Sequence, residues 1–146
     1  MIPRLFFAVV ICVCLTGCAK PNYVDYQTEA LSVKNPDFSE RFDTIVIIPR
    51  LGCNACTHSA DKYYQKHKDD IGTLFVFTNL QSEKLLKIEN GYDIADRHNV
   101  IIDKDNRHFS YDYEESNYPV ILIGDSNGSY TFEYLLKGLR LQETDQ

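Results

Sequence analysis

Ile45-Val46-Ile47-Ile48 runs through Pro49, Arg50, Leu51 and Gly52 into Cys53-Asn54-Ala55-Cys56, and a helix-period pattern follows at once. A continuous β-branched run of this length is expected to form a strand buried on both faces. The two cysteines behind it fall at the start of a helix. Backbone N–H groups and the helix dipole there favour a thiolate over a thiol. A Cys pair at this spacing serves redox chemistry or metal binding, and the residues by themselves leave both open.

The remaining pattern supplies a fold around that junction. Cys56, Ala60, Tyr63, Tyr64 and His67 recur at helical spacing, predicting a helix over 54–67. Thr73 to Thr78 is a second apolar strand. Ser82 to Asn90 reads as a short helix stopped by Asn90-Gly91, with a further turn over 94–98. Val100-Ile101-Ile102 is a brief strand that runs into the turn-rich Asp103-Lys104-Asp105-Asn106. Residues 108–117 are aromatic and acidic without a period. Pro119 to Ile123 and Ser129 to Tyr134 flank Asp125-Ser126-Asn127-Gly128 as a hairpin, and 135–141 suits a short helix. Strands joined through helices pair in parallel, while a hairpin adds antiparallel strands. The expected fold class is α/β, a mixed central sheet with helices on its faces.

The N-terminus is set apart from this unit. Arg4 precedes an eleven-residue apolar run from Leu5 to Leu15, too short to span a bilayer and suited to a signal peptide. Leu15-Thr16-Gly17-Cys18 resembles the lipobox of bacterial lipoproteins. That resemblance implies cleavage before Cys18 and lipidation of Cys18; an ordinary signal peptide or an uncleaved anchor is the plainer alternative. Two acyl chains hold a protein on a membrane, so the expected location is the bacterial cell envelope, on an extracytoplasmic face. Ala19 favours the outer membrane. Residues 1–17 are then the signal peptide, 18–40, with Pro21 and Pro36, a tether, and 41–146 the folded domain. Cys12 and Cys14 leave with the signal and Cys18 is lipidated, so Cys53 and Cys56 remain as the thiol pair. A bridge between them closes almost no loop and adds little stability. A net charge of −6 without a Lys/Arg cluster speaks against nucleic-acid binding, and 12% aromatic residues against disorder.

The order of strand, Cys53-Asn54-Ala55-Cys56, helix, and later Tyr118-Pro119-Val120-Ile121-Leu122-Ile123 with a hairpin resembles the thioredoxin fold, over about residues 41–141. The resemblance implies a three-layer α/β/α domain with Cys53 as nucleophile and Cys56 as resolving thiol. It also implies a cis Pro119 which, with Tyr118, borders the substrate groove. Proline at the start of a strand is equally permitted for the ordinary reason that a missing donor costs little there. Four positions depart from the family pattern. Gly52 stands where many thioredoxins carry Trp, Ile47 where a buried carboxylate often serves the resolving thiol, and Asn54-Ala55 matches no standard dipeptide. Asp43 is the nearest upstream acid. Arg50 is placed to help lower the Cys53 pKa.

The leading expectation is a thiol–disulfide oxidoreductase acting on a protein or small disulfide, as a membrane-anchored monomer without a resident cofactor or metal. A binding module with a static disulfide is the second reading. A copper carrier using Cys53, Cys56 and His58 is the third, against which His58 reads as a solvent-facing helix residue. His67, His98 and His108 read as surface or internally satisfied residues. Asp103 to Asn106 lacks the glycine and distal glutamate of a calcium loop and reads as a solvated turn. Glu114 and Glu115, beside Tyr111 and Tyr113, suit either a recognition loop over the site or a charged insertion.

Overall fold

Ile45 and Ile47 point into one apolar cluster, Val46 and Ile48 into another, and all four are at most 1% exposed. This is why the run is apolar at every position: a strand alternates its side chains between faces, and here both faces are covered. The computed structural model describes residues 20–135. The signal-peptide and Cys18 expectations, and all but the first residue of the C-terminal helix, lie outside the described residues.

In chain order the elements are α1 (Tyr23–Lys34), α2 (Phe38–Arg41), β1 (Thr44–Pro49), α3 (Asn54–His67), β2 (Thr73–Thr78), α4 (Glu83–Asn90), a 3-10 turn (Tyr92–Asp96), β3 (Val100–Ile102), a second 3-10 turn (Glu114–Asn117), β4 (Val120–Gly124) and β5 (Tyr130–Tyr134). They build one five-stranded sheet in the order β3-β2-β1-β4-β5. β1 and β2 are parallel, as are β2 and β3, whereas β4 runs antiparallel to β1 and pairs with β5 as the hairpin. The result is a mixed α/β, thioredoxin-like layout of three layers.

One face of the sheet receives Ala60 and Tyr64 from α3, Leu86 from α4, Ile94 and Leu135. Tyr64 stands edge-on to both Phe75 and Phe77, with ring centroids 5.0 and 5.2 Å away. Such contacts contribute about 0.5–1.5 kcal/mol each beyond area burial. Ser82 caps α4 by accepting from Leu85 N–H, and Gly91 ends it at φ +104°.

The opposite face corrects a sequence expectation. Residues 23–34, read as part of a tether, form α1, which buries Tyr23, Gln27 and Leu31, while Phe38 of α2 is buried beside them. Asn22 caps α1 by accepting from Asp25 N–H, and Asn35 closes it by donating to Leu31 O. Tyr23, Leu31 and Phe38 join Phe42, Ile45, Ile47, Leu74, Val76, Val120 and Leu122 in that core. Residues 23–34 and 38–41 thus belong to the folded unit, ahead of the expected start at residue 41.

Candidate active site

β1 ends at Pro49, and the chain leaves it along β2's end: Arg50 N–H donates to Thr78 O at 2.9 Å and Leu51 N–H to Asn79 O at 3.1 Å. Asn79 returns the contact through its side chain, which donates to Leu51 O. Cys53 follows as the N-cap of α3, its sulfur accepting from Cys56 N–H at 3.3 Å. Thr57 fastens the turn further, its backbone N–H and hydroxyl both donating to Cys53 O. No acidic side chain lies in the first turn, so nothing there opposes the positive end of the helix dipole.

Cys53 and Cys56 form a disulfide with Cα atoms 5.2 Å apart. The two sulfurs differ in access. Cys53 is half-buried, whereas Cys56 is 4% exposed against the core.

The structure brings the distant Tyr118-Pro119 to this junction. Val120 pairs with Ile47, so the residues before it run back along the end of β1. A Cβ on Gly52 would lie 3.0 Å from Asn117 O, and Gly52 itself has φ +152°. Close approach and left-handed backbone together explain glycine at the position where many thioredoxins carry Trp. Leu51 and Tyr118 remain well exposed on the rim, at 44% and 37%. The cis expectation for Pro119 is not met: the described residues contain no cis peptide bond. Pro119 instead precedes β4 by one residue, where its lack of an N–H costs no ladder bond, and its carbonyl accepts from Leu135 N–H.

Arg50 has a different task from the one expected. Its guanidinium donates to Asp61 of α3 and Glu89 of α4, with the side chain only 8% exposed. The positive charge is committed to two carboxylates that tie the helices together. Beside it opens a pocket of about 280 Å³, lined by Arg50, Asn54, Thr57, His58, Asp61 and Glu89 among others. His58 is exposed. Among the described residues no group of three or more His, Cys, Asp or Glu side chains is gathered to hold a metal. Ile47 is 1% exposed within the core, so an apolar side chain occupies the position expected of a carboxylate, while Asp43 is exposed before β1.

A buried polar network escaped the sequence reading. Asp103, taken as part of a solvated turn, is 2% exposed; it accepts from Thr78 Oγ1 at 2.7 Å, Arg107 N–H at 3.1 Å and His108 N–H at 2.8 Å. Only its neighbours Lys104, Asp105 and Asn106 are solvated. His108, 4% exposed, donates from Nδ1 to Gln27 Oε1, and Gln27 Nε2 donates to His108 O, both at 3.0 Å. Burial pushes the His108 pKa down to about 4, opposed by Asp103 and assisted by Lys34 and Arg107. Polar residues in a polar loop carry no periodic signal that would have flagged this burial.

The fold and site define a class: an α/β domain, thioredoxin-like in layout, with a Cys-x-x-Cys disulfide at a strand–helix junction. Comparison with protein-family models, with curated proteins and with solved structures finds no match for the chain. Among the described residues no helix is long and apolar enough to cross a membrane.

Proposed function

We propose that this chain is a thiol–disulfide oxidoreductase of the bacterial cell envelope, held on its membrane, the outer one by preference, through a lipidated Cys18. The observation that carries the redox reading is the asymmetry of the Cys53–Cys56 disulfide. The sulfur at the helix N-cap is partly accessible, and its partner is buried behind it. An accessible thiolate attacks; a buried thiol is spared from stray partners.

In the reducing direction, the Cys53 thiolate attacks one sulfur of a substrate disulfide. The substrate S–S bond breaks, one substrate thiolate leaves, and a mixed disulfide with Cys53 forms. Cys56, having lost its proton to solvent, attacks Cys53, releases the second substrate thiolate and regenerates the internal bridge. Two electrons pass from the dithiol to the substrate, and a dithiol donor restores the pair. Ile47 provides no buried base for the Cys56 proton, so resolution is the slow step.

The second reading, a binding module with a permanent bridge, draws on Ile47, which leaves no buried carboxylate, and on the Asn54-Ala55 dipeptide. Redox titration of the pair, together with trapping, separates the two. Cys56→Ser is expected to accumulate mixed disulfides with a disulfide substrate, and Cys53→Ser to form none and to lose reductase activity. Full activity in Cys53→Ser, or a bridge that never cycles in dithiol buffers, refutes the proposal.

A further inference from the structure

The segment that would be a free leash between lipid and fold is absent as a leash, and this bears on what the disulfide can reach. Pro21 O accepts from Tyr113 Oη at 2.8 Å, and the Lys20 ammonium sits 4.0 Å from the centre of the Tyr113 ring while donating to Asp112 O. Asn22 then caps α1, whose Tyr23, Gln27 and Leu31 lock into the core. Tyr113 is itself stacked on Tyr26 at 4.9 Å. The chain is thus seated on the fold from residue 20 onward.

Cys18 lies two residues before Lys20, a span of at most about 7 Å, whereas a free segment from 19 to 40 would extend to about 75 Å. The seat lies across the sheet from α3, and a short segment joins it to the end of the fold where the thiols sit. Tyr113 caps the 3-10 turn Glu114–Asn117, and Asn117 O is the atom packed against Gly52, next to Cys53.

The geometry points to a substrate class: disulfides presented at the membrane surface, on anchored or membrane-embedded partners, rather than disulfides of proteins diffusing freely in the compartment. This inference rests on the oxidoreductase and Cys18-lipid readings above. Lipid holds the domain there, not charge. Desolvation first, and then the charges of Asp112, Asp25, Glu115 and Glu29 around it, disfavour ionisation of Tyr113. Lys20 faces four carboxylates here, so this face has little attraction for an anionic leaflet, and the acyl chains carry the attachment. With no slack, the Cys53–Cys56 pair stays within one domain diameter of the headgroups. Its effective concentration toward disulfides in that layer is raised accordingly.

The test uses the full lipidated chain in vesicles of phosphatidylethanolamine and phosphatidylglycerol. Reduction is followed on a fluorophore–quencher disulfide peptide coupled to a lipid headgroup through a short spacer, and on the same peptide free in solution. The comparison is a variant with twenty Gly/Ser residues inserted between Ala19 and Lys20. Insertion is expected to cut the rate on the surface-held probe about fivefold while leaving the soluble-probe rate unchanged. Equal rates of native and inserted chains on the surface-held probe overturn the inference. Loss of the soluble-probe rate in the native chain refutes the redox reading instead, and a mature mass without diacylglycerol on Cys18 refutes the anchor.

Discussion

His108 makes the stability of this protein depend on pH in a defined window. His108, on the loop that follows β3, is 4% exposed against Gln27 of α1, and its pKa falls from an ordinary 6.5 to about 4. Burial is the main cause; Lys34 and Arg107 add to it and Asp103 works against it. Unfolded chain takes up the proton as pH drops below about 6.5, whereas the folded protein resists it down to about 4. Stability is therefore complete above the unfolded pKa and is lost as pH falls toward the folded one, with a slope approaching 1.4 kcal/mol per pH unit and a total of about 3 kcal/mol. That is a large fraction of an ordinary domain stability of about 5–15 kcal/mol. Glu83 is held down to about 2 by Lys104 and Lys87, so its contribution fades only below the ordinary carboxylate value and does not enter the window above it. Urea unfolding at pH 7, 6, 5 and 4.5 measures the effect against His108→Gln, which keeps a donor toward Gln27 but cannot titrate. The stability difference between the two proteins is expected to shrink by about 2–3 kcal/mol across that range. Parallel pH profiles, or a His108 ring resonance in the folded protein that titrates near 6.5, would refute the assignment of this group.

Two further perturbations probe the scaffold. Arg50→Met strands Asp61 and Glu89; because Glu89 is 40% exposed its half of the pair is largely screened, and the expected loss is about 2–3 kcal/mol, read as a fall in Tm on the order of 10 °C. A smaller loss in Arg50→Met/Asp61→Leu would assign that cost to the stranded carboxylate. A chain begun at residue 41 loses Tyr23, Leu31 and Phe38, each worth about 1.5–3 kcal/mol of burial, and is expected to lack near-ultraviolet circular dichroism, whereas a chain begun at residue 20 retains it. Native-like spectra from the shorter chain would return α1 to the status of a tether.

What could be read from the chain and what could not divides along physical lines. β1, β2 and α3 were legible because long apolar runs and a helical period persist over whole elements. Asn54–His67 and Thr73–Thr78 fall at the expected limits. α1 was missed because its buried row is one residue wide, Tyr23, Gln27 and Leu31, and its central member is polar. Gln27 belongs in a core only because His108, eighty-one positions away, meets both ends of its amide. Pro21 and Pro36, which suggested a tether, instead lie just outside the Asn22 and Asn35 caps of that helix. At the site, the thiols and the proximity of Tyr118-Pro119 were legible from motif and order. The task of Arg50 was not, since both of its carboxylate partners sit on helices whose facing only the packed sheet decides.

The central place of β1 also orders the making of the site in time. Thr44 faces Thr73 on one side and Ile123 on the other. Loop closure costs more entropy as the enclosed chain lengthens, and long-range pairings slow folding. The β1–β2 pairing that seats Cys53 and Cys56 is consequently the cheaper one to form, and the β4 pairing that lays Asn117 against Gly52 is the dearer. On this ordering the thiols acquire their helix before Asn117 closes against Gly52, so the two walls of the site differ in how much chain must be gathered to make them.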